Sequence, residues 1–190
     1  MVGTLKKLFG EELEQIDYVV ISPLSRALQT AELCLKGNLT KLISQNKVIM
    51  SPIFREILED YCDVGRSWRS LVDDFSWLGT FEALPPFWYA QERIRKVLVE
   101  NGTQEESYLS IWEQLQENNF DTRYEIEARV DKCKNVLSGL FQEGSASILV
   151  IAHANLIFEI TSVVIQGEVY GQWLSNGEIY TYDLPLGNNN

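Results

Sequence analysis

The sequence predicts an α/β domain, a three-layer arrangement of a mostly parallel sheet with helices on both faces. Three observations carry this. The apolar runs Tyr18–Ile21 and Ile148–Ile151 have the length and composition of buried strands. The segments around them place apolar side chains at three-four spacing, the period of a helix with one buried stripe. Strands and helices alternate along the chain, and parallel strands need such crossovers. With 190 residues and 45% apolar side chains, one core and one domain spanning residues 1–190 are expected.

Taken in order, residues 4–15 place Leu5, Leu8, Phe9 and Leu13 at helical spacing among charges, so an amphipathic helix is expected to open the chain. The first strand ends at Ser22. Ser22 followed by Pro23 is a helix-start pattern, in which Ser caps free amides and Pro fills the first helical position, and the helix is expected to run from Pro23 to Leu35. Val48, Ile49 and Met50 suggest a second strand leading toward Arg55 and Glu56. Asp60 to Trp88 is irregular and rich in Gly, Pro and aromatics, a long excursion with short helical pieces able to roof a pocket. Helices are expected near residues 89–99 and 104–117. A stronger one spans Tyr124 to Phe141, with Ile126, Val130, Cys133, Val136, Leu137 and Leu140 as its stripe. Gly144 precedes the strand at Ile148, and His153 follows that strand at once. Asn155 to Ile165 reads as an apolar helix, and Glu178 to Leu184 as a closing edge strand.

Composition narrows the function. A formal charge of −11 disfavours nucleic acid, which is bound by clustered Lys and Arg. A small phosphate ester is a different matter, since one or two arginines at a helix N-terminus suffice to hold it. Cys34, Cys62 and Cys133 are odd in number and scattered, which suits a reducing, cytoplasmic setting. No apolar run has the roughly 20 residues of a membrane span, and residues 1–7 lack a signal-peptide core. One histidine and scattered cysteines offer no metal cluster, and neither G-x-G-x-x-G nor a Walker A segment occurs, so neither metal nor organic cofactor is expected.

Ligands of open parallel sheets sit beyond the carboxyl ends of the strands. The first strand end supplies Ser22, Ser25 and Arg26, the second Glu56, and the third His153 and Asn155. A guanidinium fork, an imidazole donor and a carboxylic acid together suit phosphoryl chemistry. Each has an ordinary reading when taken singly: Arg26 as a solvated charge, His153 as a core histidine, and Glu56 as part of an acidic face with Glu59 and Asp60.

Ser22 to Ala31 reads S-P-L-S-R-A-L-Q-T-A and resembles the histidine phosphatase superfamily of phosphoglycerate mutase-like proteins. Phe54–Arg55–Glu56 resembles that family's L-x-E segment. Cys62 to Gly65 and Asp73 to Ser76 resemble spacings of its eukaryotic phosphomutase-like branches. Ile148 to Ala154 resembles the strand that ends in the family's second histidine, and Asn176 to Leu184 its closing strand. The likeness extends over about residues 5–184. It implies a phosphatase or phosphomutase fold in which Arg26 binds phosphoryl oxygens, His153 holds the same oxygens and steadies the transition state, and Glu56 protonates the leaving group.

The chain also departs from the family. The nucleophile there is a first histidine in an R-H-G segment; His153 is the only histidine here, matches the second, and no R-H-G occurs. Ala154 stands where Gly is usual. The chain reads as starting inside the helix after the first strand, which leaves out a central strand along with the nucleophile. Another chain supplying that strand, a reading frame that starts late, and a reduced fold all fit. Without it, the strands at 18–22 and 148–152 either have unpaired edges or pair directly, and direct pairing would draw Arg26 and His153 together and narrow the pocket. Turnover through a phosphohistidine is not expected. A domain acting on or binding a small phosphate ester, a non-catalytic pseudo-enzyme for phosphate or a phosphorylated partner, and a structural module with its pocket plugged by Trp68 or Trp77 remain as readings. Arg55, Arg66 and Arg69 lie where a substrate-binding segment would be, with surface charge as their ordinary role.

Overall fold

A computed structural model describes residues 16–141 and 146–183. The expected opening helix at residues 4–15 lies outside the described residues. Strand β1 (Tyr18–Ile21) is central in a three-stranded parallel sheet, flanked by β2 (Val48–Met50) and β3 (Ile148–Ile151). Of the two arrangements open to the first and last of these strands, direct pairing holds: β1 and β3 pair in register from Tyr18↔Ile148 to Ile21↔Ile151. The ladder continues past the strand ends. Ser22 N–H donates to Ile151 O at 3.0 Å and Ser51 N–H to Ile21 O at 3.2 Å, which brings Ser22 alongside the residues that follow β3.

Successive side chains of β1 point to opposite faces, and each face has its own core. Val19 and Ile21 join one core with Leu28 and Leu35 of α1 (Ser25–Leu35) and Leu39 of α2 (Gly37–Ser44). The same core takes in Leu71 of α3 (Trp68–Asp74), Ile94 and Leu98 of α4 (Glu92–Glu100), and Ile111 and Leu115 of α5 (Tyr108–Glu117). Val20 faces the other core, formed with Val130, Cys133 and Leu137 of α6 (Arg123–Gly139) and with Leu156 and Ile160 of α7 (Ala154–Thr161). The domain is therefore α/β with helices on both faces of a small parallel sheet. None of the helices among the described residues is long and apolar enough to cross a membrane.

Several boundaries differ from expectation for local reasons. Helix α1 starts at Ser25 rather than Pro23, since Leu24 is still extended; the Ser22 hydroxyl accepts the Leu24 amide at 3.3 Å and also contacts His153. Helix α2 was not anticipated; Leu39 and Leu42 bury one side of it. Helix α6 starts one residue before the expected Tyr124, fixed by the reciprocal Thr122–Glu125 capping box, and ends at Gly139, two residues before Phe141. The helix expected over 155–165 stops at Thr161. The β-branched run Val163–Ile165 (β4) instead pairs antiparallel with Glu168–Tyr170 (β5) across Gln166 and Gly167, whose φ values of 53° and 86° make the tight hairpin turn. The closing strand expected at 178–184 is absent among the described residues: 178–183 are exposed and join no sheet, and Leu184 lies outside the described residues. An alternating pattern needs a sheet edge to join, and this segment has joined none.

The excursion from Asp60 to Trp88 consists of short pieces, with 3₁₀ turns at Tyr61–Asp63 and Ser76–Thr80 around α3. Its aromatics Phe75, Phe87 and Trp88 are buried in the first core.

Candidate functional site

Arg26 is on the first turn of α1, beyond the carboxyl end of β1, and its side chain is 43% exposed. Each guanidinium nitrogen has an acceptor. Nε donates to His153 Nδ1 at 3.1 Å, Nη1 to Cys62 O at 2.8 Å, and Nη2 to Asp63 Oδ1 at 2.8 Å. The Tyr61–Asp63 turn presents that Asp63. Asp60 and Asp63 form a capping box there, and Asp63 Oδ2 also accepts the Asp60 amide at 3.1 Å.

His153 caps α7 directly after β3 and is 6% exposed. An Arg N–H has no lone pair to offer, so Nδ1 is the acceptor and the ring proton sits on Nε2, which donates to Ser22 Oγ at 2.7 Å. Burial, aided by the Arg26 and Arg129 charges, pushes the imidazole pKa down to about 3. The ring is therefore neutral at physiological pH. Its tautomer also excludes a serine-nucleophile role for Ser22, because a general base needs a bare nitrogen facing the hydroxyl and this one holds the proton.

Glu56 is buried, in contrast to a solvated acidic face, and its carboxylate sits on the N-terminus of α7. Oε1 accepts from Ile57 N at 2.9 Å and Leu156 N at 3.1 Å, and Oε2 from Asn155 N at 3.3 Å. Burial pushes its pKa up against the three amides, which pull it down, and nearby Asp63 raises it further. It is the group in this site best suited to hold a proton and give it up.

These side chains meet at an open pocket of about 540 Å³ lined by Arg26, Glu56, Glu59, Asp60, Cys62, Asp63 and Asn155. Among the described residues Arg26 is its only cation, set among four carboxylates. The structure thus brings Arg26, Glu56 and His153 together, with His153 behind the wall and touching Arg26. It does not bring in the three other arginines. Arg55 is buried on Asp121 and Arg66 pairs with Asp74, while Arg69 is exposed and lines no part of the pocket. Neither Trp68 nor Trp77 plugs the pocket; Trp77 Nε1 donates to Glu32 at 2.9 Å.

Asp121 and Arg129 were not singled out from the sequence. A signal for Arg129 existed, since it falls on the apolar stripe of α6 beside Val130 and Cys133, and a charge on a buried face requires a partner. No protein-family model, no curated protein and no solved structure matches the chain.

Proposed function

We propose that the chain is a phosphoglycerate mutase-like domain of the histidine phosphatase superfamily that binds phosphate or a small phosphate ester at Arg26 without turning it over. The observation that carries this reading is the Arg26 guanidinium, partly exposed in the pocket and braced by His153, at the carboxyl ends of two adjacent parallel strands. This is where an open α/β sheet receives ligands, and a guanidinium fork matches two phosphate oxygens. Turnover through a phosphohistidine has no support. The only histidine has its bare nitrogen on Arg26 and its protonated one on Ser22.

A phosphate ion on the Arg26 fork competes with Asp63 for Nη2. Inorganic phosphate at about 10 mM is expected to raise the melting temperature by on the order of 2 °C. Arg26→Ala should abolish the rise, and Asp63→Asn should enlarge it by freeing the fork. The wild-type chain should release no phosphate from p-nitrophenyl phosphate. A second reading rests on the acceptor that each guanidinium nitrogen of Arg26 already has, which suits a purely structural tie between α1 and the Tyr61–Asp63 turn. Under it, phosphate shifts neither protein and Asp63→Asn only destabilises, and that result would overturn the binding reading.

A further inference from the structure

Behind the pocket lies a charge cluster that the binding reading does not use. Asp121, fully buried between α5 and α6, accepts both terminal nitrogens of Arg55, at 2.8 Å and 2.7 Å. It also accepts the Leu58 amide at 3.2 Å and Arg129 Nη2 at 3.3 Å. Arg55 Nη1 donates in turn to Glu56 O at 2.7 Å, and Arg129 Nη1 to Arg55 O at 2.6 Å. One carboxylate thus grips the chain on both sides of Glu56, through the side chain before it and the amide two residues after it. The Glu56 carbonyl is held by the same guanidinium. Phe54, Ile57 and Leu58 anchor this segment by burying their side chains, but its backbone after the Pro52–Phe54 3₁₀ turn is irregular, and the Asp121 contacts are what tie that backbone on both sides of Glu56.

We propose that Asp121 is a positioning residue of the pocket: by clamping Arg55 and the Leu58 amide it fixes the turn that presents Glu56, and so holds the Glu56 carboxylate on the Asn155 and Leu156 amides. The role has an electrostatic side. Arg55 and Arg129 face a single Asp121, so the cluster carries one excess positive charge, and Glu56 raises the Arg129 pKa through space. The excess charge favours ionised Glu56 from the α6 side. From the pocket side Glu56 meets Asp63, Glu59 and Asp60, which oppose ionisation, and Arg26, which favours it. His153 is neutral and takes no side.

The proposal rests on Glu56 being part of the binding pocket, but its test uses no phosphate, so the two readings fail separately. Side-chain carboxyl ¹³C titration of the full chain, with Glu56 assigned through Glu56→Gln, reads the ionisation directly. Hydrogen exchange at Asn155 and Leu156 reads the amide contacts. In Asp121→Asn one carboxylate is lost and the turn loosens. Added positive charge and added solvent lower the Glu56 midpoint, the weakened amide contacts raise it, and with the first two larger it is expected to fall by up to about one pH unit. Exchange at the two amides should speed up roughly tenfold relative to the rest of α7. If Asp121→Asn does not fold, Arg55→Lys is read the same way; it keeps the charge but breaks the two-pronged contact, so the exchange should rise with a smaller change in midpoint. A folded variant with wild-type Glu56 midpoint and wild-type exchange at both amides would overturn the proposal and leave Asp121 a structural residue only.

Discussion

At the scale of single residues, His153 shows how a side chain's neighbours fix its chemistry. Its bare nitrogen takes a hydrogen from Arg26 and its other nitrogen gives one to Ser22, so protonation would break one contact and set a second cation beside the guanidinium. The consequence for stability has a definite sign. The folded pKa of about 3 lies below the unfolded value of 6.5, so the unfolded chain binds more protons between those limits. Stability from His153 is complete above pH 6.5 and is lost as pH falls toward 3. The loss reaches roughly 1.4 kcal/mol per pH unit where the difference is greatest. Asp121, held below the usual carboxylate range by Arg55 and Arg129, acts in the same direction at lower pH. Glu56 opposes it, because its raised pKa costs stability as pH climbs past the ordinary carboxylate value. With one histidine in the chain, the imidazole protons give an isolated NMR signal. That signal is expected not to titrate between pH 8 and 5, and His153→Gln should flatten the pH dependence of urea unfolding over the same range. A midpoint near 6.5 would show that the ring is open to water and that the Arg26 contact is not kept.

At the scale of elements, packing decides what local pattern leaves open. Gly65 closes the Tyr61–Asp63 segment against the edge-to-face pair of Trp88 and Tyr89, whose centroids are 5.6 Å apart. A Cβ at position 65 would lie 2.5 Å from Trp88 Cζ2 and 2.6 Å from Tyr89 Cδ1. Both rings are buried and cannot swing away. Gly65→Ala is therefore expected to cost about 1–3 kcal/mol in urea unfolding, the range for overpacking a filled core. Because the segment carries Asp63, the same variant should also weaken the Arg26–Asp63 pair. A variant as stable as wild type would mean that this aromatic pair is not packed as described. The same principle explains which elements were legible. The stripe on α6 and the runs of β1 and β3 are dense apolar patterns that bury against whatever they meet, so the sequence announces them. The first strand of the hairpin β4–β5 has a helical pattern in sequence because Val163, Val164 and Ile165 extend the apolar run of α7; the Gln166–Gly167 turn is the contrary signal. Helix α2 has only Leu39 and Leu42 to bury, too short a stripe to register.

At the scale of the whole molecule, the sheet and the site follow from one event, the direct pairing of β1 with β3. It places Arg26 against His153, residues 127 positions apart. Arg26, Glu56 and His153 were legible because each stands just past an apolar strand or in a recognisable segment. Their partners were not: Asp63 lies 37 positions from Arg26 and Asp121 lies 66 from Arg55, and in a chain with 27 acidic residues nothing local marks the two that become buried. That acidic excess also sets the terms on which the pocket meets an anion. The chain carries −11 overall, and at the pocket itself Glu56, Glu59, Asp60 and Asp63 outnumber Arg26. A basic phosphate site loses affinity as salt screens its attraction. Here a phosphate dianion approaches through a repulsive field and gains attraction only at contact with the partly buried Arg26, where screening acts least. Added salt removes more of the repulsion than of the attraction. Calorimetric titration with inorganic phosphate is therefore expected to show affinity rising about twofold to threefold between roughly 20 and 200 mM potassium gluconate, a salt whose bulky anion competes poorly for the guanidinium. Affinity that falls with salt would mean that phosphate is met by a positive surface elsewhere on the molecule, and the pocket at Arg26 would not be its site.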